Sequence, residues 1–173
     1  IYEPLFLPCS YGFRPGRNCH DALRGLHKHA SSCGDGAVVE IDIRQYFNTI
    51  PHEELMKILR KKISDERFLR LIDKLATAPI TEKGKTTANT IGCPQGSILS
   101  PILANIYLHE VIDEWFESLK QTHIVGEAEE IRYADDMVFV FQRHSEARRF
   151  FEVLPKRLKK YGLEINMEKS NLI

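Results

Sequence analysis

The stretch Ile131 to Phe141, IRYADDMVFVF, restricts the folds open to this chain more than any other. Two adjacent carboxylates, Asp135 and Asp136, interrupt two runs of strand-forming residues, so the segment predicts a β-hairpin with the acidic pair at or beside its turn. Neighbouring side chains of a regular strand point to opposite faces, and only a turn or twist lets both Asp residues serve one site. On a rigid apolar hairpin the two carboxylates repel each other and find no partner inside the motif. Two readings follow. The pair makes the turn hydrogen bonds that Asp favours, or it holds a hard divalent cation such as Mg²⁺ through oxygen ligands.

Two further stretches bear on that choice. Ala37 to Ile43, AVVEIDI, carries β-branched residues on both faces and predicts a central strand. Asp42, near its C-terminal end, is costly to bury unless it caps an amide, pairs or binds metal, which makes it the natural third carboxylate. Tyr46 and Phe47 follow in a turn that Pro51 closes. Gly92 to Pro101, GCPQGSILSP, places Gln95 between Pro94 and Gly96, in a loop that must bring backbone close to something. Ser100 and Pro101 read as N-cap and first-turn proline of a long amphipathic helix to about Gln121. Its buried positions are Leu103, Ile106, Tyr107, Val111, Ile112 and Trp115.

The remaining elements are ordinary. Gly12, Pro15 and Gly16 force turns that project Arg14 and Arg17, whose guanidinium forks suit either phosphate oxygens or acidic neighbours. Asn18 caps a helix to about Ser31. Pro51 starts one helix to about Lys62 and Ser64 caps a second to about Thr77, with Leu55, Ile58, Leu59, Phe68, Leu71, Ile72 and Leu75 as core positions. Ile80 to Ile91 predicts a hairpin around Lys83-Gly84-Lys85. Ser145 caps a basic helix to about Tyr161, ended by Gly162, and strand pieces at 163–165 and 172–173 flank a turn from Asn166 to Asn171.

With 173 residues, 43% of them hydrophobic, the chain can bury one real core. Lysine plus arginine and aspartate plus glutamate both total 24, so net charge gives no sign of a nucleic-acid partner. Positive charge clusters only locally, in Lys57 to Lys62 and Lys156 to Lys160. Cys9, Cys19, Cys33 and Cys93 form no C-x-x-C pair, which argues against a zinc site and fits reduced thiols in a cytoplasmic setting. No apolar run approaches a membrane-crossing length. Starting at Ile1 without an initiator Met, the chain is expected to be a piece of something longer.

A strand ending in Asp42, a P-Q-G loop opening a helix and the hairpin Y-A-D-D together resemble the fingers and palm of a reverse transcriptase, most closely the group II intron-encoded kind, also called maturases. The resemblance runs through YGFRPGRNCHDAL (Tyr11 to Leu23), DIRQYFNTIPHEEL (Asp42 to Leu55), GCPQGSILSPILANIYLHEVID (Gly92 to Asp113), RYADDMVFV (Arg132 to Val140) and GLEINMEKS (Gly162 to Ser170). Ser170 stands where Thr is usual, and Tyr46 where a second Phe is frequent. The resemblance implies an α+β right-hand polymerase without its thumb, with residues 1–36 and 51–99 in the fingers and 37–50 and 100–173 in a small antiparallel palm backed by helices.

It also implies roles. Asp42, Asp135 and Asp136, with the Ile43 carbonyl, would hold two Mg²⁺ ions for transfer of dNTPs to the 3′-hydroxyl of a DNA or RNA primer on an RNA template. Phe47 would exclude a 2′-hydroxyl, Gln95 would hold the incoming nucleotide, Arg14 and Arg17 would reach its triphosphate, and Lys169 would protonate pyrophosphate. Intron RNA is the further expected partner, in a bacterial cytoplasm or an organelle.

Two alternatives stay open: an RNA-binding maturase scaffold that does not polymerise, and another prokaryotic reverse transcriptase of the retron, abortive-infection or CRISPR-associated type. A nucleotide cyclase or metal nuclease would share the acidic cluster but leaves Gln95 and Phe47 unexplained. These 173 residues are expected to carry every metal ligand yet grip primer and template weakly. Robust processive cDNA from them alone in a primer-extension assay would refute that expectation.

Overall fold

A computed structural model describes residues 1–82, 85–87, 91–93 and 98–173, and the side chains of all these except 80–82 and 85–87. Helix α1 (Cys19–Ser32) opens where Asn18 accepts a hydrogen bond from the Asp21 amide at 3.1 Å, the cap expected from sequence. Strand β1 (Ala37–Ile41) is followed by a single helical turn, α2 (Tyr46–Thr49), and by the helix pair α3 (His52–Arg60) and α4 (Glu66–Ala76). After the hairpin β2 (Ile80–Glu82) and β3 (Lys85–Thr87) comes one long helix in three parts: α5 (Ser100–Leu108), a π turn (His109–Asp113) and α6 (Glu114–Thr122). The hairpin β4 (Ala128–Tyr133) and β5 (Asp136–Phe141), helix α7 (His144–Lys160) and short β6 (Asn171–Leu172) come last.

The main sheet is antiparallel with strand order β4-β5-β1-β6, so the fold is α+β. Ala37, Val39 and Ile41 of β1 and Met137, Phe139 and Phe141 of β5 bury one face against the helices. Rings from three elements meet there, with centroids 4.9 Å apart for Phe116 and Phe139 and 4.6 Å for Phe139 and Phe150. The other face is covered only in part. Helix α1 seals Val38, Ile131 and Val140 beneath Ala22 and Leu26, while Glu40 further along β1 is exposed. The outer edge of β4 is covered by the N-terminal segment, where the Arg132 amide donates to Cys9 O at 2.9 Å and the Tyr11 amide to Arg132 O at 2.8 Å.

Several local expectations shift. Asp65, not Ser64, caps α4, accepting from the amides of Arg67 and Phe68 at 2.8 and 3.2 Å. The sequence reading put Phe68, Leu71 and Leu75 in the core, yet they are 43%, 52% and 44% exposed, and Leu69, Ile72 and Ala76 face inward instead. The outer three line a groove of about 630 Å³ together with Phe13 and Ile102. Helix α5 is buried almost all round, and after the wider π turn Phe116 of α6 is fully buried, while the expected Trp115 packs against the same core half-buried and stacked on Phe150. Leu99 rather than Ser100 stands at the start of α5, and α7 begins at His144, one residue before the expected cap. The tip of the β2–β3 hairpin lies outside the described residues. Among those described, no helix is long and apolar enough to cross a membrane.

Replacing Asp65 by Ala should cost about 1 kcal/mol in urea unfolding, because two first-turn amides lose their acceptor. Ser64→Ala should stay within about 0.5 kcal/mol.

Candidate polymerase active site

The acidic hairpin closes as tightly as an antiparallel pair can. Tyr133 pairs with Asp136, leaving Ala134 and Asp135 as its two central residues. Ala134 has φ +59° and Asp135 no positive φ, the pattern of a type II′ turn. Asp135 thus projects from the turn itself while Asp136 begins β5. The β1–β5 register brings in the third carboxylate: Ile41 pairs with Met137, so the next step of the ladder sets Asp42 opposite Asp136. By strand alternation these two share a face with Val38, Glu40, Val138 and Val140. Helix α1 covers that face at the Val38 end, and it is open at the carboxylate end, where Glu40, Tyr133 and Asp136 are exposed.

The backbone around Asp42 is held by the C-terminal turn. The Ser170 hydroxyl accepts from the Asp42 amide at 3.1 Å, and the Asn166 amide donates to Asp42 O at 2.8 Å. Ser170, the departure from the usual Thr, therefore supplies the same hydroxyl to the strand. Ile43 bridges Ile165 through bonds made by the residues on either side of it, which leaves its own carbonyl unspent in that pairing. Lys169 is exposed on the same turn, one residue before Ser170.

Burial raises the Asp135 pKa, and the negative charges of Asp136 and Asp42 add to the rise. Among the described residues none of the three carboxylates forms a salt bridge. Nor are they drawn closely together. The one group of potential metal ligands within 4.8 Å of one another, among the described residues, is Cys9, Asp113 and Glu130. Three hard oxygen donors with mutual repulsion and no cationic partner fit a divalent ion.

The expected nucleotide-contacting residues fare unevenly. Phe47 lies in α2, half-buried, its ring centroid 5.5 Å from that of buried Tyr46. Gln95 lies outside the described residues. The stem of its loop is placed: the Cys93 amide donates to Phe47 O at 2.7 Å, and a Cβ on Gly92 would come 2.7 Å from the Asn48 backbone. Arg14 is turned inward, bonded to Glu3 at 2.9 Å and to the carbonyls of Leu7 and Ser10. Arg17 donates to Pro8 O at 2.6 Å and lies over the Tyr11 ring. In this arrangement both serve the N-terminal loop, the acidic-neighbour reading for Arg14.

Sequence reasoning gave no role to Arg132, which is fully buried under the turn. It donates from Nε and Nη2 to both oxygens of Asp113 at 2.7 and 2.6 Å, from Nη1 to Asn105 Oδ1 at 2.8 Å and Ala134 O at 3.0 Å, and from Nη2 to Ser10 Oγ at 2.9 Å. All five of its N–H donors are used. Burial alone would raise the Asp113 carboxyl, but the charge and hydrogen bonds of Arg132, with His109 3.6 Å away, hold it down at about 2. Glu130, two residues from Arg132 on the same buried face of β4, is pushed well above the carboxylate range by burial and by the Asp113 charge. With both Asp113 oxygens bound by a guanidinium, the Cys9, Asp113 and Glu130 group is a proton-holding cluster, a poor place for a cation. The signal for Arg132 was its strand position: an even-numbered partner of Glu130 on a core-facing stripe.

An antiparallel sheet that carries carboxylates at a hairpin on its open face and helices on the other is the palm of a right-hand polymerase, with fingers alongside. Its solved likenesses agree on fold: telomerase from Candida albicans, in complex with a TWJ fragment of telomeric RNA, superposes with TM-score 0.77 over 95% of this chain and 31% of its own, at 14% identity. Apo telomerase from Candida tropicalis gives 0.72 over 95% and 36%, at 16% identity. Residues 2–173 match the reverse transcriptase (RNA-dependent DNA polymerase) family, and the chain belongs to it. Its relatives include the "uncharacterized 91 kDa protein in cob intron" of Schizosaccharomyces pombe, 48% identical over 69% of this chain and 14% of that protein. Group II intron-encoded protein LtrA of Lactococcus lactis is 42% identical over 69% and 20%, and protein YkfC of Escherichia coli 38% identical over 77% and 35%. The chain thus spans about a third or less of the length of these relatives.

Because Glu130 binds its proton more tightly folded than unfolded, it removes stability as pH rises above the ordinary Glu value of about 4.3. Glu130→Gln, which mimics the protonated form, should therefore be the more stable protein at pH 7 in urea titrations. Its advantage should close as the pH falls below about 4.

Proposed function

We propose that this chain is the catalytic core of an RNA-dependent DNA polymerase that adds dNTPs to a primer 3′-hydroxyl on an RNA template. The observation that carries the reading is the ladder step that sets Asp42 opposite Asp136 on the open face, with Asp135 in the adjoining turn. Asp42, Asp135 and Asp136, joined by the Ile43 carbonyl, are the proposed holders of two Mg²⁺ ions. When bound, such ions make the primer hydroxyl more acidic and offset charge on the departing pyrophosphate. Phe47, on the short helix after the first Asp, is the proposed wall against a ribose 2′-hydroxyl. Lys169, exposed beside the Ser170 that holds Asp42, is the proposed proton donor to pyrophosphate. Gln95 keeps its proposed nucleotide-holding role on the resemblance alone, and Arg14 and Arg17 would have to leave their present partners to reach a triphosphate.

Residues 1–36 and 51–99 are the proposed fingers and 37–50 with 100–173 the proposed palm, although α1 also roofs part of the sheet. The relatives named for group II introns support intron RNA as a second partner and a role for the parent protein in intron splicing and mobility. The exposed face of α7 offers charge for it in Arg148, Arg149, Lys156, Lys159 and Lys160. The cytoplasm of a bacterium, or an organelle, is the proposed setting.

The test is single-nucleotide incorporation on an RNA template by the full-length parent. Asp135→Asn should lower the rate by about a hundredfold or more, with Asp42→Asn and Asp136→Asn alike. Unchanged Mg²⁺-dependent incorporation would defeat the reading. Phe47→Ala should reduce discrimination against rNTPs by about tenfold or more, read from kcat/KM ratios.

A further inference from the structure

We propose that Arg132 is a positioning residue for the Asp135 and Asp136 carboxylates, acting through the carbonyl of Ala134. The proposal rests on the nucleotidyl-transfer reading above and adds to it a buried brace beneath the reacting groups. Arg132 is no candidate for touching substrate: its side chain is wholly buried and every donor is already committed.

Four of its bonds anchor it and one reaches the turn. The anchors are Asp113 in the π turn, held by two bonds, Asn105 on α5 and Ser10 in the N-terminal segment. The remaining donor meets Ala134 O at 3.0 Å, at the one turn residue with left-handed φ. An alanine in that conformation persists only where its surroundings over-determine it. A second constraint comes from the other side, where Gly12 packs so closely that a Cβ there would lie 2.3 Å from the Ala134 amide nitrogen. Asn105 ties the two together, accepting from Arg132 while its own amide donates to Gly12 O at 2.7 Å. The turn is thus gripped between a guanidinium and a backbone, and the carboxylates of the next two residues inherit that placement. A lysine cannot replace the fork: it keeps the charge but loses the paired, planar geometry that engages Asp113 and Ala134 at once.

The experiment uses the full-length protein and steady-state incorporation titrated with Mg²⁺. Arg132→Lys should lower kcat at least tenfold and raise the Mg²⁺ concentration for half-maximal rate several-fold. KM for dNTP and affinity for primer–template should stay within twofold. Ser10→Ala, which removes one anchor and leaves Arg132 in place, should shift the Mg²⁺ requirement in the same direction by less, at near-native Tm. A folded Arg132→Lys protein with unchanged Mg²⁺ half-saturation overturns the proposal, as does a loss of rate that only tracks the folded fraction. Should Arg132→Lys not fold, an unchanged Mg²⁺ requirement in Ser10→Ala overturns it. Asp135→Asn in parallel separates the two readings: if it stays active, nucleotidyl transfer at this site fails, whereas an inactive Asp135→Asn beside an unaffected Arg132→Lys defeats only the brace.

Discussion

The pairing of β1 with β5 is the constraint on which the site depends. Five consecutive pairs, from Ala37 with Phe141 to Ile41 with Met137, fix it. A slip of one residue would turn either Val39 and Ile41 of β1 or Met137, Phe139 and Phe141 of β5 away from the helices, since side-chain period in a strand is two. Each large apolar side chain so exposed forfeits about 1.5–3 kcal/mol, so the loss for one strand is comparable to the whole net stability of a marginal domain. The apolar stripe therefore sets the register, and the register delivers Asp42 and Asp136 to the opposite face. The placement of these two carboxylates is a by-product of core packing on the other side of the same sheet.

A second constraint operates in the buried interior. Burying the Arg132 and Asp113 charges is expensive unless they are paired and hydrogen-bonded to each other, and here the guanidinium is fully engaged. That requirement reaches far along the chain: it needs the N-terminal segment beside β4, Asn105 inside an otherwise apolar helix, and the π turn that sets Asp113 against the sheet. Residues more than a hundred positions apart in sequence, Ser10 and Arg132, are locked by it. A polar cluster of this kind adds little net stability, yet an incomplete one costs several kcal/mol, so it selects one arrangement of four segments.

Much of this was legible in the sequence, because alternation and turn chemistry are local. The acidic hairpin, the strand before Asp42, the Asn18 cap and the C-terminal turn all follow from spacing of a few residues. What was not legible depends on which partner occupies a face. Phe68, Leu71 and Leu75 have the spacing of a buried stripe, but α4 meets the core through Leu69, Ile72 and Ala76, and periodicity cannot tell two apolar faces apart. The π turn carries no sequence mark, and after it Phe116 joins the core beside the half-buried Trp115. For Arg14 the sequence leaves phosphate and acidic neighbour equally open, because Glu3 and the carbonyls it binds lie several residues away around a loop. Arg132 carries no such mark, since an arginine on a core-facing stripe contradicts the simple pattern unless its partners are known.

The turn itself shows how the two constraints meet. A glycine at Ala134 would take φ +59° without strain, whereas alanine there costs on the order of 1–3 kcal/mol. Glycine would also widen the range of conformations open to the residue that directly precedes both carboxylates. Alanine, once forced into place by Arg132 from below and Gly12 from the side, has fewer alternatives to relax into. The strain is thus coupled to restriction: like charges at Asp135 and Asp136 push outward, and the backbone least able to yield is the one between them and the buried guanidinium. Rigidity at that point holds the two carboxylates at the placement the turn gives them, where a softer turn would let that placement vary.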